Sequence, residues 1–317
     1  MTTKTWTLRT VLEEGRRLRN WGRWGADDEI GTLNFITPQK ITDAAALVKQ
    51  GKIIACALPY DADGPQRGGR RFNPIHLMLA SGADAAAGAQ DQIPGLRYAD
   101  DVITMPLQCG TQWDGLAHIF VEGKTYNGRD MALVHSGGAT VNGIEKLAGK
   151  VATRGVLLDL PRFKGVDWLE PGTPVSSADL LGCAHHAGVT LGSGDALLVR
   201  TGQIAQCRAQ GGWGSYAGGD APGLCLETAQ FLHDTEIACI ATDTWGMEVR
   251  PNETPDCFQP LHLILIASMG LLVGEIFDFE ALAADCAQDG VYEFLFVAPP
   301  LPFTGAVGSP LNAYAMK

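Results

Sequence analysis

One short segment carries most of the side chains in this sequence that could perform chemistry. It reads Q-C-G-T-Q-W-D-G-L-A-H from Gln108 to His118, and it contains Gln112 and Asp114. An Asp and a His four residues apart can bind a divalent metal, since carboxylate oxygen and imidazole nitrogen are both ordinary ligands. The same two groups suffice for acid–base catalysis without a metal. A glycine-rich turn in which Asp114 caps a backbone group is the third interpretation, and these residues alone leave all three open.

Cysteine usage indicates packing rather than catalysis. Cys109 lies inside the segment and could be a nucleophile, but its flanking residues offer no adjacent base, so we favour a small filler beside the site. The chain has eight scattered cysteines and no C-x-x-C pair. We therefore expect reduced, mostly buried thiols and a cytoplasmic location.

Composition bounds the class of protein. The chain has 317 residues, of which 46% are hydrophobic and 19% charged, and this suits a globular protein with a sizeable core. A net charge of -11 argues against nucleic-acid binding, which needs clustered Lys and Arg. No apolar run is long enough for a membrane span, and the first residues have no apolar core of a signal peptide.

Predicted strands and helices alternate around the segment and must position it. The strand-like runs are 52–58, 73–80, 101–107, 155–160, 195–201, 237–242, 271–275 and 292–298. The helix-like runs are 6–20, 38–50, 177–188, 224–234, 262–270 and 277–287. This alternation favours an α/β class, and the glycine-rich stretches leave room for antiparallel pairing. Run 101–107 leads directly into the segment, which predicts a polar turn after a strand.

Two charged or titratable residues stand out further along the chain. His262 begins a helix-like run that is otherwise apolar, and Glu275 ends an apolar strand-like run. A charged residue at the end of an apolar strand, such as Glu275, must find a partner or a metal. Another polar cluster, residues 243–248, follows a predicted strand, where sites of α/β proteins tend to lie. A turn with an N-capping Asp is the competing interpretation of that cluster.

Three residues are candidates for substrate binding. Trp113 lies beside Asp114 and could face an aromatic substrate, although a packed core Trp has the same pattern. His76 lies in a strand-like run, where a lone His is ordinarily a satisfied core residue. Tyr126 could line the mouth of the site, although surface hairpin residues look the same.

These residues resemble the cyclase family of kynurenine formamidase-like metal-dependent hydrolases. That family has the motif H-x-G-T-H-x-D-x-x-x-H, and the pair Gly110-Thr111, Asp114 and His118 match it at the right spacing. The family also has a later His on a helix and a Glu that follows it, which here look like His262 and Glu275. The resemblance spans roughly residues 50 to 285, and the ordered set is more specific than any one motif.

The resemblance implies a fold, an assembly and a reaction class. It implies a swivelling β/β/α cyclase-type fold with a central mixed sheet, in a single domain over residues 1–317 with 1–50 as an N-terminal helical and loop extension. Members are mostly hydrolases of small amides, lactams or lactones, use zinc or manganese, and are homo-oligomers, so we expect a homodimer or homotetramer. The loops 61–71, 83–97 and 208–221 would select the substrate, but their composition does not identify it.

The chain departs from the family at two positions, because Gln108 and Gln112 stand where the motif has histidines. A Gln carbonyl is a weak neutral ligand, so the first metal site of the two-metal members is in doubt. We expect the two glutamines to position substrate or stabilise an oxyanion. The resemblance then implies a single zinc or manganese ion, which would activate water. Its ligands would be Asp114, His118, His262 and Glu275.

Two other functions stay open. A metal-independent dehydratase, isomerase or cyclase would use Asp114 and His118 as an acid–base pair, with Gln108 and Gln112 as polarising donors. His118 would then be a catalytic acid–base residue rather than a ligand. A non-catalytic binding protein on an enzyme scaffold is the third candidate, and the retention of all four ligand-type residues argues against it.

Overall fold

The computed structural model describes residues 5–317, so the first four residues of the predicted N-terminal extension lie outside the described part of the chain. The strands are β1 (Ile53–Ala55), β2 (Ile75–Ala80), β3 (Asp100–Thr104), β4 (Gln112–Asp114), β5 (Val134–His135), β6 (Gly138–Ala139), β7 (Ala152–Asp159), β8 (Pro174–Val175), β9 (Ala196–Arg200), β10 (Gly223–Leu224), β11 (Cys239–Thr242), β12 (Leu272–Glu275), β13 (Glu293–Val297), β14 (Gly308–Pro310) and β15 (Tyr314–Met316).

The helices are α1 (Leu8–Arg17), α2 (Pro38–Ala45), α3 (Gly82–Ala86), α4 (Leu160–Lys164), α5 (Ser177–His186), α6 (Gln203–Ala209), α7 (Thr228–Asp234), α8 (Pro260–His262) and α9 (Glu280–Asp289). A π-helix, Leu263–Met269, continues directly from α8. Short 3-10 helices cover Gly31–Phe35, Tyr126–Gly128, Met131–Leu133 and Ile144–Leu147. None of the helices in residues 5–317 has the length and apolarity needed to cross a bilayer.

A nine-stranded sheet organises the described residues. Its strand order is β1-β15-β13-β7-β9-β11-β12-β4-β14. The four central strands β7, β9, β11 and β12 run parallel, and the flanking strands pair antiparallel. The sheet is therefore mixed, as expected, and the predicted α/β class is confirmed.

Both faces of the sheet are buried, which explains why its central strands are apolar without alternation. Successive side chains of a strand point to opposite faces. In β7, Val156 and Leu158 belong to one core cluster together with Val11 of α1 and Ile264 of the π-helix. Leu157 between them belongs to the other cluster, on the opposite face. The sheet is thus covered by a hydrophobic core on each of its two faces.

The segment predicted as a turn after a strand contains a strand of the large sheet instead. Gln112 to Asp114 form β4, which pairs with β12 on one side and β14 on the other. The strand predicted just before it, β3, pairs only with β2 in a separate two-stranded hairpin. The prediction was wrong because the glycines that flank β4 and the polar residues within it hide its strand character, and its sheet partners lie far away in sequence.

The C-terminal tail also forms strands, although the sequence pattern predicted none after residue 298. The proline-rich tail from residue 299 contributes β14 next to β4 and β15 next to β13. Pro310 can sit in β14 because that strand lies at the edge of the sheet, where a missing N–H breaks no ladder. Helix α2 begins at Pro38, as the helix-like run 38–50 predicted, but ends at Ala45, and the Thr37 side chain caps it by accepting a hydrogen bond from the Lys40 N–H.

Candidate active site

Strand β4 and strand β12 place three polar side chains on one face of the sheet. The register sets Gln112 opposite Glu275, and Asp114 lies two residues further along the same face. The Gln112 Nε2 donates to Glu275 Oε2 at 2.9 Å and lies 3.4 Å from Asp114 Oδ1. All three side chains are buried. The sheet therefore holds two carboxylates together in a site with little water.

His262 completes this cluster from the end of α8. Its Nε2 lies 3.1 Å from Glu275 Oε1, and its Nδ1 lies 2.6 Å from Glu248 Oε1. The Glu248 carboxylate also accepts hydrogen bonds from the backbone N–H groups of Leu261 and His262. His262 is thus fixed on both ring nitrogens by buried carboxylates.

Glu248 is the site residue that sequence reasoning did not single out. It lies in the polar cluster 243–248 that follows β11, so the available signal was its position beyond the end of a central strand. Nothing in the local sequence shows that this carboxylate meets a helix start fourteen residues later.

The buried charges shift one another's pKa values. Burial by itself lowers the pKa of His262, but the hydrogen bonds to Glu248 and Glu275 outweigh burial and raise that pKa to about 10. Burial, followed by the nearby Asp114 charge, raises the pKa of Glu275 to about 7. Without a bound ion, His262 is therefore a cation at neutral pH, and its charge partly offsets the carboxylates beside it.

His118 lies at the border of the cluster rather than inside it. Its Nε2 is 3.8 Å from Asp114 Oδ2, which is longer than a hydrogen bond. Its side chain retains 20% of its exposure, so it is accessible from the solvent side. Burial, which outweighs the attraction of Asp114, lowers the pKa of His118 below its ordinary value. The imidazole is therefore neutral at pH 7 and can accept a proton.

Three of the four ligand-type residues converge closely enough to hold one metal ion. Ligand atoms of Asp114, His262 and Glu275 all lie within 4.8 Å of one another, and His118 is not part of this group. Two carboxylates and one imidazole suit zinc or manganese. The Gln112 Oε1 is buried without a hydrogen-bond partner beside them. The donor set therefore fits a single divalent ion, with Glu248 orienting His262 from its other nitrogen.

The remaining residues of the segment lie around this cluster. The Gln108 Nε2 is buried without a hydrogen-bond partner and lies so close to Gly308 that a Cβ there would be 2.5 Å from it. Burial raises the pKa of the Cys109 thiol to about 11, so it is not a thiolate at neutral pH. The structure thus supports Cys109 as a filler.

The structure does not bring the three predicted substrate-binding residues to the cluster. Trp113 points to the opposite face of the sheet, fully buried, and its Nε1 donates to the Ala298 carbonyl at 2.7 Å. Tyr126 is buried and donates to Asp28. His76 lies on the exposed β2–β3 hairpin. Trp113 is thus a packed core residue. Tyr126 is buried rather than part of a surface hairpin, and His76 is exposed rather than a core residue.

The chain is similar to known proteins over most of its length. Residues 32–249 match the profile of a family described as "Putative cyclase". A solved structure of a novel cyclase is 38% identical, with a TM-score of 0.86 over 96% of this chain and 99% of the other. No match was found among curated proteins.

Two more distant solved structures share the fold. Isatin hydrolase A from Labrenzia aggregata is 17% identical, with a TM-score of 0.58 over 86% of this chain and 96% of the other. A predicted metal-dependent hydrolase from Bacillus stearothermophilus is 17% identical, with a TM-score of 0.51 over 84% and 98%. At this identity the likeness concerns the fold alone.

Proposed function

Because this chain belongs to the cyclase family, we propose that it is a hydrolase of a small-molecule amide, lactam or lactone that uses one divalent metal ion, zinc or manganese. The observation that carries this proposal is the convergence of Asp114, His262 and Glu275 in one buried cluster. Distant proteins with the same fold include an isatin hydrolase and a predicted metal-dependent hydrolase, which supports hydrolysis as the reaction class.

Each residue of the cluster has a distinct part in this proposal. The ion would supply Lewis acidity, which polarises a carbonyl group and lowers the pKa of water. Asp114 and Glu275 would hold it through oxygen and His262 through Nε2, while Glu248 fixes the ring through Nδ1. His118 is neutral, adjacent and partly exposed, so it acts as the general base that accepts the proton of the attacking water.

The two glutamines serve as neutral groups of the site. The amide nitrogen of Gln108 is a buried donor without an acceptor, so it is available to a substrate carbonyl oxygen. The amide of Gln112 bridges the two carboxylates through nitrogen and leaves its own oxygen unpaired. Gln112 therefore holds the carboxylates in place, and Gln108 polarises the substrate.

One observation favours a second function, a metal-independent dehydratase, isomerase or cyclase. The Gln112 amide and the His262 imidazolium together satisfy Glu275, so this carboxylate has its partners without an ion. In that case Asp114 and His118 form the acid–base pair, with Gln108 and Gln112 as polarising donors.

Elemental mass spectrometry on protein purified without chelator or nickel separates the two functions. We expect about one zinc or manganese per chain in the wild type, as for a mononuclear site. His262→Ala should lose the metal, because the imidazole is one of three ligands. His185→Ala, which changes an exposed His of α5, is the matched control and should keep it. A folded wild-type protein that holds neither ion and cannot be reloaded would refute the hydrolase proposal and favour the metal-independent one.

We also propose that the chain is cytoplasmic and forms a homodimer or homotetramer. All eight cysteines are free thiols, which suits a reducing compartment. The hairpin of β2 and β3 exposes a row of large apolar side chains, which supports burial against another copy: Ile75, Leu77, Met78, Leu79, Val102 and Ile103.

A further inference from the structure

Two arginines lie against the same tryptophan beside the candidate active site. The guanidinium carbon of Arg71 lies 5.3 Å from the ring centroid of Trp245, and that of Arg250 lies 5.9 Å from it. Trp245 packs against the cluster that contains Ile276, the residue after Glu275. Trp245 therefore lies near the end of β12 that carries the Glu275 carboxylate.

Neither arginine has a carboxylate partner within residues 5–317. Other partly buried arginines of this chain do, such as Arg154 with Asp195 and Arg200 with Asp159. Moreover, the Nη1 of Arg250 is buried without a hydrogen-bond acceptor. A buried donor with no acceptor is costly, so this arrangement indicates a missing anionic group.

Hydrogen bonds hold the loop that carries Arg71 over the site. The Gln66 side chain donates to the Cys109 carbonyl at 2.9 Å and lies 3.4 Å from the Trp245 Nε1. The same loop is tied down by Arg67, whose Nη2 donates to the Gly214 carbonyl at 2.6 Å. The loop thus connects the segment of the active site with the tryptophan that lies beside both arginines.

We propose that Arg71 and Arg250 bind a carboxylate of the substrate, which is therefore a small organic acid. This inference rests on the proposed function, in which an ion offsets the charges of Asp114 and Glu275. The two guanidinium groups then leave a surplus of positive charge next to the reacting bond. Guanidinium groups match carboxylates through paired N–H donors, and the Trp245 ring offers a flat apolar surface to the rest of the molecule.

Calorimetric titration with two isosteric probes tests this proposal. Benzoate and benzamide have nearly the same shape, but only benzoate is an anion. We expect wild-type protein to bind benzoate roughly tenfold or more tightly than benzamide, the range for hydrogen bonds to a charged group. Arg71→Gln and Arg250→Gln should each lose this preference. Arg70→Gln removes the same charge from an exposed neighbour of Arg71 and should keep it.

Retention of the preference in Arg71→Gln or in Arg250→Gln would overturn the proposal, and so would a wild-type protein that does not prefer benzoate. Melting temperatures of all variants show whether each is folded. Arg71→Lys provides a second variant, which keeps the charge but loses the paired donors and should show an intermediate preference. Metal content is measured on the same samples. A protein without metal that still shows the arginine-dependent preference would refute the proposed function but not the carboxylate site.

Discussion

Glu248 controls the orientation and the charge of His262. Its carboxylate accepts the Nδ1 proton of His262 and two backbone N–H groups at the start of α8, so the helix start and the imidazole share one anchor. The other ring nitrogen then points at Glu275. A carboxylate that accepts from one nitrogen of a His makes the other nitrogen a better metal ligand.

We predict that Glu248→Gln weakens metal binding roughly 10- to 100-fold, as is usual for residues that orient a ligand. The amide keeps the shape of the side chain but loses the charge that stabilises the ring. Titration of metal-free protein with zinc in the presence of a competing chelator measures the affinity. Glu253→Gln is the control, since Glu253 lies five residues later and binds the Leu226 N–H instead. Equal affinities in wild type and Glu248→Gln would show that Glu248 has no part in the site.

The pairing of β4 with β12 depends on a close contact between Trp113 and Gly274. These two residues are opposite each other in the sheet. A Cβ at residue 274 would lie 2.5 Å from the Trp113 ring and 2.7 Å from the Phe277 ring. Glycine is therefore required between two large aromatic side chains, and its neighbour Glu275 owes its position to this pairing.

We predict that Gly274→Ala lowers the free energy of unfolding by about 1–3 kcal/mol, because it overpacks the core between the two strands. The same shift would separate Gln112 from Glu275, so metal content should fall as well. Urea denaturation and elemental analysis measure the two effects. Gly192→Ala is the matched control, because a Cβ there meets nothing within 4 Å. A Gly274→Ala protein as stable as Gly192→Ala would contradict the role of this contact.

At the scale of the whole molecule, the hairpin of β2 and β3 is an exposed apolar arm. Leu77 is 59% exposed and Leu79 is 70% exposed. Strand β2, which contains both leucines, begins at Ile75 shortly after Arg71, so the arm continues from the loop over the site. Such a surface is typical of an interface between subunits.

We predict that the double variant Leu77→Glu and Leu79→Glu converts the assembled protein into monomers, because charged groups cannot be buried in an apolar interface. Multi-angle light scattering measures the molar mass. Leu181→Glu, which changes an exposed leucine of α5, should leave the assembly intact. A wild-type monomer, or a double variant with the wild-type mass, would exclude this hairpin as the interface.

The sequence by itself determined the class of the fold and the chemistry of its polar groups. Apolar runs such as 155–160 fixed the central strands, because a strand buried on both faces needs continuous apolar residues. The spacing of Asp114 and His118, with His262 and Glu275 later in the chain, indicated the cyclase family, which the similarity to known members confirms. These features are local, so a linear pattern can carry them.

Only the tertiary structure decided which of these groups meet. Register across the sheet sets Glu275 against Gln112, although more than 160 residues separate them. Glu248 binds the start of α8 and thereby contacts His262, whereas His118 lies at the border of the cluster. The folded loop adds Arg71 beside Trp245. Contacts of this kind depend on packing between distant parts of the chain, and no local pattern of residue types specifies them.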